Sequence, residues 1–437
     1  ETGGSETFVK IGKKLTGRLT GGTAKMSLIS DALFGMISGS AMANVVGTGV
    51  FTIPMMKKSG FPSKWAAAFE AVGSTGGQIM PPIMGSAAFI MAQIISKPYK
   101  EIAVSAIIPA ILYYIGVYVA INGIAKKYGI LGTNDKVVIT SSEYLNIFAP
   151  LGVFIAFLVQ GFSAANAAFF ASITALLVCT ATHFVSTKSI KDTIKYSGKM
   201  SFDSALGGAA NIVDMAGLLG GAQLVITLIS MTGFGVKLSD LIVSVGRNNL
   251  FLWLVLSMLV CILLGMGLPT TAAYVLGAAV LVPALTTLGL DTFVAHMFVF
   301  FFSCLATITP PVCAAVFLAS GIAESNWFQT GICAVLAALP AFIVPYTFAY
   351  TPALLMIGET GEILSAFIAA IIGVVMLEMG VSGYIFRKVN VVSRVLLVLS
   401  GIMMVWPERI SDLIGFCVGG GLLLIEFLAT RKHIKAS

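Results

Sequence analysis

The sequence predicts an all-α polytopic membrane protein, and three observations support this fold class. Of the 437 residues, 57% are hydrophobic and only 10% are charged, whereas soluble domains carry roughly 25% charged residues. Apolar runs long enough to span a bilayer, about 20 residues each, recur along the chain. Glycine and proline interrupt several of these runs, which predicts broken helices as well as plain spans.

In chain order, we predict about ten crossings and two re-entrant hairpins. The crossings cover residues 62–96, 101–125, 144–160, 163–185, 201–233, 291–322, 327–350, 363–386, 391–405 and 410–428. The hairpins cover residues 26–58 and 250–287, and residues 236–248 are predicted to form a short amphipathic helix on the outer surface. These segments group into a basic cytoplasmic connector (1–25), a first repeat (26–125), scaffold and linking helices (126–249), a second repeat (250–350) and extra C-terminal helices (351–437).

The distribution of basic residues predicts the orientation in the membrane. If the loop 186–200 is cytoplasmic, 21 of the 26 Lys and Arg residues lie inside, as the positive-inside rule requires. These charges sit in short loops between apolar runs, which argues against nucleic-acid binding and for a bacterial or archaeal cytoplasmic membrane. The chain does not begin with Met or with a signal peptide, so we expect it to be part of a longer protein.

The most informative feature is an internal repeat. Matched residues in its two copies are always the same number of positions apart in the sequence, with no gap, and we call this distance the repeat spacing. Four Pro or Gly positions recur at this spacing: Pro54 as Pro283, Gly60 as Gly289, and the pair Pro81-Pro82 as Pro310-Pro311. An odd number of crossings between the copies predicts opposite orientations, so that one hairpin enters from each face. Inverted repeats with discontinuous helices are typical of secondary transporters, although Pro and Gly also recur in membrane helices for packing reasons.

Four predicted helix breaks, at residues 38–44, 73–82, 265–271 and 304–311, predict an ion site. An interrupted helix in lipid exposes polar backbone groups, so breaks persist where they line a cavity or bind an ion. Neutral hydroxyl, amide and carbonyl oxygens suit a monovalent cation, and we expect unwound backbone at Gly76, Gly77 and Ala306 to free carbonyls. The candidate ion-binding residues are Ser40, Asn44, Ser74, Thr75, Gly76, Gly77, Thr270, Thr271, Thr307 and Thr309. Alternatively, each Ser or Thr bonds only to the preceding helical turn.

Helix ends next to the breaks predict where an anionic substrate would bind. If each Pro-Pro pair begins a half-helix, the free N–H groups and the helix dipole of that half-helix would stabilise a carboxylate. The candidate substrate-binding residues are Ser38, Pro81, Pro82, Pro269, Pro310 and Pro311.

Few titratable groups lie inside the predicted crossings. Glu70 and Asp214 are candidate coupling residues, because intramembrane carboxylates often act as ion or proton relays. Glu70 could instead snorkel toward Lys64, and Glu378 is read as structural. The six cysteines and three histidines form no ligand pattern, so we expect no metal beyond Na⁺ and no organic cofactor.

At these motifs the sequence resembles the large membrane subunit of tripartite ATP-independent periplasmic (TRAP) transporters. The matching stretches are SGSAMANVVGTGVFTIPMMKKSGF and STGGQIMPPIMGSAAF within 38–89, and GMGLPTTAAYVLGAAVLVPAL and ATITPPVCAAVFLASGIA within 265–323. The tail 359–430 resembles the extra helices of fused permeases that work with TAXI-type binding proteins.

This resemblance implies an elevator mechanism driven by a Na⁺ gradient, in which a periplasmic TAXI-type binding protein delivers an organic acid such as a dicarboxylate. It implies ion sites at Ser40, Asn44 and Ser74–Gly77 in the first repeat, and at Pro269–Thr271 and Thr307–Thr309 in the second. The family's small-subunit helices are expected upstream in the same chain. Whether the coupling ion is Na⁺ or H⁺ stays open.

Three other functions are alternatives. An ion-coupled carboxylate transporter that needs no binding protein would use similar repeats, and uptake without a periplasmic protein would reveal it. A channel is disfavoured, because hairpins from opposite faces predict alternating access. An intramembrane enzyme is disfavoured, because the sequence lacks an HExxH motif or a paired catalytic constellation.

Overall fold

A computed structural model describes residues 4–132, 137–233, 237, 249–385, 387–406 and 409–436. Within helices, the side chains of residues 211, 214, 215, 218, 219, 222, 225, 226, 229, 230, 409 and 429–436 lie outside this description. The helices of the first part are α1 (Gly4–Thr16), α2 (Gly22–Ser38), α3 (Ala41–Lys58), α4 (Ser63–Gly77), α5 (Ser86–Ile94), α6 (Tyr99–Ser105), α7 (Ile107–Lys127), α8 (Ser141–Val159), α9 (Ala164–Thr187) and α10 (Ile190–Thr232). They continue as α11 (Leu250–Gly265), α12 (Thr270–Thr287), α13 (Thr292–Leu305), α14 (Ala314–Ala323), α15 (Trp327–Ala337), α16 (Leu339–Tyr350), α17 (Thr360–Ser382), α18 (Val391–Val405) and α19 (Arg409–Ala436).

The predicted all-α polytopic fold class is confirmed. In the described part of the chain no strand forms, and a single isolated bridge joins Tyr384 to Lys388. Six described segments are long and apolar enough to cross a membrane: Tyr99–Lys127, Ser141–Val159, Ala164–Thr187, Thr270–Thr287, Thr360–Ser382 and Ile410–Leu428. The pair α15 and α16, bent by 47°, adds a seventh. The predicted number was about ten; part of the difference arises because each half of a broken helix is too short to qualify alone.

The helix boundaries repeat at the spacing predicted from the sequence. Helices α3 and α12 each have 18 residues, and both their starts and their ends are separated by the same spacing as Pro54 and Pro283. The starts of α4 and α13 are separated by this spacing too. In each copy a glycine with positive φ follows the first of these helices, 107° at Gly60 and 91° at Gly289.

All four predicted helix breaks are present, with two corrections. Gly39 separates α2 from α3, residues 266–269 separate α11 from α12, and longer breaks at 78–85 and 306–313 follow α4 and α13. Gly76 and Gly77 are not unwound, since they form the last turn of α4, and the carbonyl of Gly76 accepts a hydrogen bond from the N–H of Ile79 at 3.0 Å. The Pro-Pro pairs, both with cis peptide bonds, lie inside the long breaks rather than at the first turn of α5 or α14.

Helix α10 differs from its prediction. It runs without interruption over 43 residues and includes most of the segment 186–200, which was predicted to be a loop. Lys191, Lys195 and Lys199 are spaced by four residues, so a helix places them on one face. The amphipathic helix predicted at 236–248 lies outside the described residues, apart from Lys237.

The two broken helices lie at the centre of the molecule. Every residue of α4 from Ala66 to Gly77 is buried, as is every residue of α13 from Phe293 to Leu305. A helix that is buried on all sides needs no polar face. The ends of α4 and α13 therefore carry their breaks into the middle of the packed helices.

Candidate functional site

The ends of the two broken helices meet in the protein interior. The hydroxyl oxygens of Thr75 and Thr307 lie 3.0 Å apart, and both residues are buried. Each hydroxyl also lies within hydrogen-bond distance of a carbonyl in its own helix, Ala71 O at 2.9 Å and Cys304 O at 2.7 Å. When both hydroxyls donate to those carbonyls, the two facing oxygens keep their lone pairs for another donor or for a cation.

Gln78, which the sequence analysis missed, connects the first break to both hairpins. Its side-chain amide Nε2 donates to the carbonyl of Gly39 at 3.0 Å and to the Thr270 hydroxyl at 2.9 Å. Gly39 is the turn of the first hairpin and Thr270 begins α12 of the second. Its position inside a predicted break, with a polar side chain between apolar neighbours, is the signal that could have identified it.

Three helix N-termini converge beside this glutamine. The hydroxyls of Ser86, the first residue of α5, and Thr271, in the first turn of α12, are 2.6 Å apart. Gly39, just before α3, packs against Gly85, just before α5, and a Cβ at Gly39 would lie 2.4 Å from the Gly85 Cα. Because helix N-termini carry free N–H groups and positive partial charge, their convergence favours an anion.

The predicted residues divide into those that join this site and those that do not. Ser40 caps α3 by accepting from the N–H of Ala43 at 3.3 Å, and Pro269 precedes the first turn of α12. Several other predicted residues do not join this site. Ser38 and Pro311 are exposed, and Pro81 is half-buried. The Thr309 hydroxyl donates to the Leu305 carbonyl at 2.7 Å, the Pro82 carbonyl accepts from Tyr99, and Pro310 packs against Gly331. The structure thus pairs Thr75 with Thr307, and places Thr270 against Gln78 and Thr271 against Ser86.

A second polar group, which we call the carboxyl cluster, lies where α2, α3 and α4 pack together. Its members are all fully buried: Ser27, Asp31, Thr48, Thr52 and Glu70. The Thr48 hydroxyl is 2.7 Å from both the Asp31 and the Glu70 carboxyl groups. Ser27 bridges the same two groups at 3.1 and 2.7 Å, and Thr52 donates to Glu70.

This cluster corrects the interpretation of Glu70, whose carboxyl group is buried among hydroxyls and does not snorkel toward Lys64. Asp31 was missed, because it lies in the predicted hairpin 26–58 and not in a predicted crossing. Intramembrane acidic residues are functional candidates in any apolar segment, and that rule applied to the hairpin would have found Asp31.

Asn44 links the carboxyl cluster to the end of α4. Its side-chain amide Nδ2 donates to the carbonyls of Asp31 at 2.9 Å and Ser74 at 3.4 Å. The Ser74 hydroxyl is fully buried and has no hydrogen-bond partner among the described residues. The two predicted residues Asn44 and Ser74 therefore lie together, one turn before the break.

Two further acidic residues were singled out by sequence. The side chain of Asp214 lies outside the described residues, although its backbone belongs to α10. Glu378 is fully buried, and both its carboxyl oxygens lack a hydrogen-bond partner in the described part of the chain. It lines a cavity of about 150 Å³ that also contains Lys127 and Arg394, and this cavity lies outside the break region. Among the described residues, no group of three His, Cys, Asp or Glu side chains is placed to hold a metal ion.

Comparison with known proteins identifies the family. The model of the tripartite ATP-independent periplasmic transporter DctM component matches residues 1–363. The chain belongs to this family. TRAP large permeases are transporter components and not enzymes. The family, together with the apolar helices, makes this chain a multi-pass protein of the bacterial inner membrane. Large permeases of this family work with a periplasmic substrate-binding protein and a small membrane subunit.

The relatives of this TRAP permease share low identity over most of their length. It is 23% identical to the sialic acid TRAP transporter large permease protein SiaM of Vibrio cholerae over 348 residues, 78% of each chain. It is 23% identical to the C4-dicarboxylate TRAP transporter large permease protein DctM of the same organism over 392 residues, 81% of this chain and 83% of the relative. It is also 22% identical to the 2,3-diketo-L-gulonate TRAP transporter large permease protein YiaN of Escherichia coli over 368 residues, 81% of each.

Proposed function

We propose that this TRAP permease imports an organic acid by ion-gradient-driven secondary transport, and that the carboxylate binds where the N-termini of α3, α5 and α12 converge. The observation that carries this proposal is the 2.6 Å contact between Ser86 and Thr271, which brings the first turns of two helices from different repeats together. One of the two hydroxyl hydrogens is used between Ser86 and Thr271, and the other, together with the free N–H groups around the pair, suits a carboxylate group.

The absence of basic residues from the breaks supports binding by helix ends. The segments 38–44, 73–86, 265–271 and 304–313 contain no Lys or Arg. A carboxylate there would rely on backbone N–H groups, hydroxyls and a coupling cation for its neutralisation. That dependence on a cation is a physical reason for coupling substrate binding to an ion.

The hydroxyl oxygens at the break ends support a monovalent metal ion such as Na⁺ as the coupling ion, whereas coupling to H⁺ would need a titratable group such as a carboxyl. Thr75 and Thr307 come from different repeats, so a cation held by both would stabilise one arrangement of the repeats over another. Such differential stabilisation is what ion-driven alternating access requires. In an elevator mechanism the hairpins and broken helices would move together against the remaining helices.

The C-terminal helices support a TAXI-type, fused architecture. The family match ends at residue 363, shortly after α17 begins, so α18 and α19 lie beyond the common family region. Extra helices after the second repeat are the feature by which the sequence resembles permeases that serve TAXI-type binding proteins. The related permeases act on sialic acid, C4-dicarboxylates and 2,3-diketo-L-gulonate, which favours a small organic acid as substrate.

The test is uptake of radiolabelled organic acids by proteoliposomes containing the full protein and its periplasmic binding protein. We expect uptake only with an imposed Na⁺ or H⁺ gradient and only with the binding protein present. Equal uptake with no ion gradient would contradict the proposal. Rapid gradient-driven uptake without the binding protein would instead support the second candidate, a carboxylate transporter that works alone.

A further inference from the structure

We infer that Asp31 and Glu70 share one exchangeable proton, so that the carboxyl cluster is a proton-binding site in the first repeat. The site is separate from the hydroxyl pair Thr75–Thr307 and from the helix N-termini proposed to bind the substrate. Its possible part in transport rests on the proposed function, whereas the binding of the proton itself does not.

The first argument is the number of hydrogens available to the cluster. Five contacts join a hydroxyl to a carboxyl oxygen, and the three hydroxyl groups supply three hydrogens. The Thr48 oxygen is 2.7 Å from both Asp31 and Glu70 and 2.8 Å from the Asn44 carbonyl oxygen, but its single hydrogen serves at most one of these acceptors. The second contact becomes a hydrogen bond when the other carboxyl group carries a proton and donates it to Thr48.

Electrostatics favours the same proton. Both carboxyl groups are fully buried and reached by a common hydroxyl, and two adjacent carboxylates cannot both ionise without strong repulsion. In the part of the chain that the structure describes, neither Asp31 nor Glu70 makes a salt bridge. Adding one proton to a carboxylate oxygen leaves a single negative charge for the remaining hydroxyls to stabilise, and releasing it to water restores the second.

The neighbouring charged groups do not supply the missing positive charge. The lysines of the surrounding helices each contact a partner elsewhere: Lys10 contacts Glu143, Lys25 contacts Asn122 and Lys57 contacts Ala323. Lys64 lies in the first turn of α4, and Lys126 lies in the last turn of α7 and donates to the carbonyl of Ile385. The titratable groups that face the cluster are Tyr113 and Tyr114 of α7, whose hydroxyls donate to the carbonyls of Val72 at 2.7 Å and Gly73 at 3.4 Å.

A second, independent observation points to a bound species at this place. The Ser74 hydroxyl is fully buried and has no hydrogen-bond partner among the described residues. Ser74 lies one turn after Glu70 on the same face of α4, and Asp31 packs against Gly73 between them, since a Cβ at Gly73 would lie 2.5 Å from the Asp31 Oδ2. Leaving a buried hydroxyl unpaired is costly in free energy. A change in the protonation of the carboxyl cluster, or a water molecule that accompanies the proton, would give the Ser74 hydroxyl a partner.

The distances favour a proton over a metal ion. The 2.7 Å separations between hydroxyl and carboxyl oxygens in the cluster are ordinary O–H···O hydrogen-bond lengths. Two oxygens this close hold a hydrogen on the line between them, whereas a Na⁺ between them would push them apart. We therefore assign the cluster to proton binding and leave a metal cation as the alternative that the experiment distinguishes.

Infrared difference spectroscopy of the purified protein in lipid nanodiscs tests the assignment. The wild-type protein should show a carbonyl band of a protonated carboxylic acid at neutral pH, which disappears as the pH rises. Asp31→Asn and Glu70→Gln should each remove this band, because the introduced amide supplies hydrogens and lets the remaining carboxylate ionise. Glu378 is another fully buried carboxyl group and would add an acid band of its own, so the spectra are compared in a Glu378→Gln background. Glu378→Gln alone is the matched control and should keep the band of Asp31 and Glu70.

Two further arms keep the test decisive if either carboxyl variant fails to fold. Thr52→Val keeps the shape of the side chain but removes a donor to the ionised Glu70, so the band should persist to higher pH. Adding Na⁺ to the wild-type protein at fixed pH should leave the band unchanged. A band that is insensitive to Asp31→Asn, Glu70→Gln and Thr52→Val, or one that Na⁺ abolishes, would overturn the inference.

The spectra separate this inference from the proposed function. A protein that fails to transport but shows the pH-dependent band keeps the proton site and loses the transport proposal. A protein that transports an organic acid but lacks the band keeps the transport proposal and loses the proton site. If both hold, a proton gradient should accelerate uptake by the wild-type protein and not by Asp31→Asn.

Discussion

Thr75 and Thr307 are 232 residues apart in sequence, yet their hydroxyl oxygens are 3.0 Å apart in the buried centre of the molecule. Each belongs to the end of a broken helix, one in each repeat. The contact explains why the breaks persist, because the polar groups at the break of one repeat face the polar groups at the break of the other and are not exposed to lipid. A change in how the repeats pack must therefore alter this contact.

Replacing Thr307 by Val removes one of the two facing oxygens while keeping the side-chain shape. We expect the ion concentration for half-maximal uptake to rise by about tenfold, corresponding to roughly 1.4 kcal/mol for one lost polar interaction. The measurement is uptake in proteoliposomes as a function of Na⁺ and of pH. Thr287→Val, at the exposed end of α12, is the control, and equal ion dependence in both variants would remove Thr307 from the ion site.

Gln78 should be essential for holding the two hairpins against the first break. Gln78→Leu removes the donor to the Gly39 carbonyl and the bond to Thr270, leaving buried polar groups unpaired at about 1–3 kcal/mol each. We expect uptake to fall at least tenfold, with membrane insertion retained. Gln160→Leu, at the exposed end of α8, should transport like the wild type, and normal uptake by Gln78→Leu would show that the hairpins are held by other contacts.

Gly77 is predicted to act through packing and not through an exposed carbonyl. A Cβ at this position would lie 2.5 Å from the Gly35 Cα and 2.9 Å from the Asp31 carbonyl oxygen, so α2 and α4 touch here. Gly77→Ala should lower the free energy of unfolding by about 1–3 kcal/mol, seen as a lower midpoint in thermal unfolding in detergent. Gly321→Ala, where a Cβ meets nothing within 4 Å, should leave the midpoint unchanged or slightly higher; a similar loss in both would argue against close packing at Gly77.

Asn44→Ala should weaken ion-dependent uptake, because Asn44 holds the Asp31 and Ser74 carbonyls together. We expect a several-fold loss of uptake, with the protein still inserted and monodisperse. Asn166→Ala, in the first turn of α9, is the control. Unchanged ion dependence in Asn44→Ala would exclude this amide from the coupling region.

Much of the architecture could be predicted from the sequence, because apolar length and Pro/Gly spacing determine it. The repeat spacing placed the boundaries of α3 and α12 in register, and the positions of all four breaks followed from glycine and proline. The convergence of α5 and α12 was not predictable in detail. That helix ends bind an anion stays a prediction, and the Pro-Pro pairs on which it was based do not begin the helices.

What the sequence could not provide were the relative rotations of helices. The bridge between Asp31 and Glu70 through Thr48 depends on which faces α2, α3 and α4 present to one another. Gly76 and Gly77 resembled a helix break in sequence, because glycine is common both in breaks and where two helices approach closely. The segment around Lys191 resembled a loop because its charge was considered without its four-residue spacing.

Disulfide trapping between Ser86→Cys and Thr271→Cys tests the central claim, that the breaks of the two repeats build one site. Their hydroxyl oxygens are 2.6 Å apart, so mild oxidation should join the two thiols and mass spectrometry should find the linked peptides. Pairing Ser86→Cys with Thr287→Cys, about 25 Å farther along α12, should give no link. Free alkylation of both thiols in the Ser86→Cys, Thr271→Cys protein under oxidising conditions, with no linked peptide, would contradict the account.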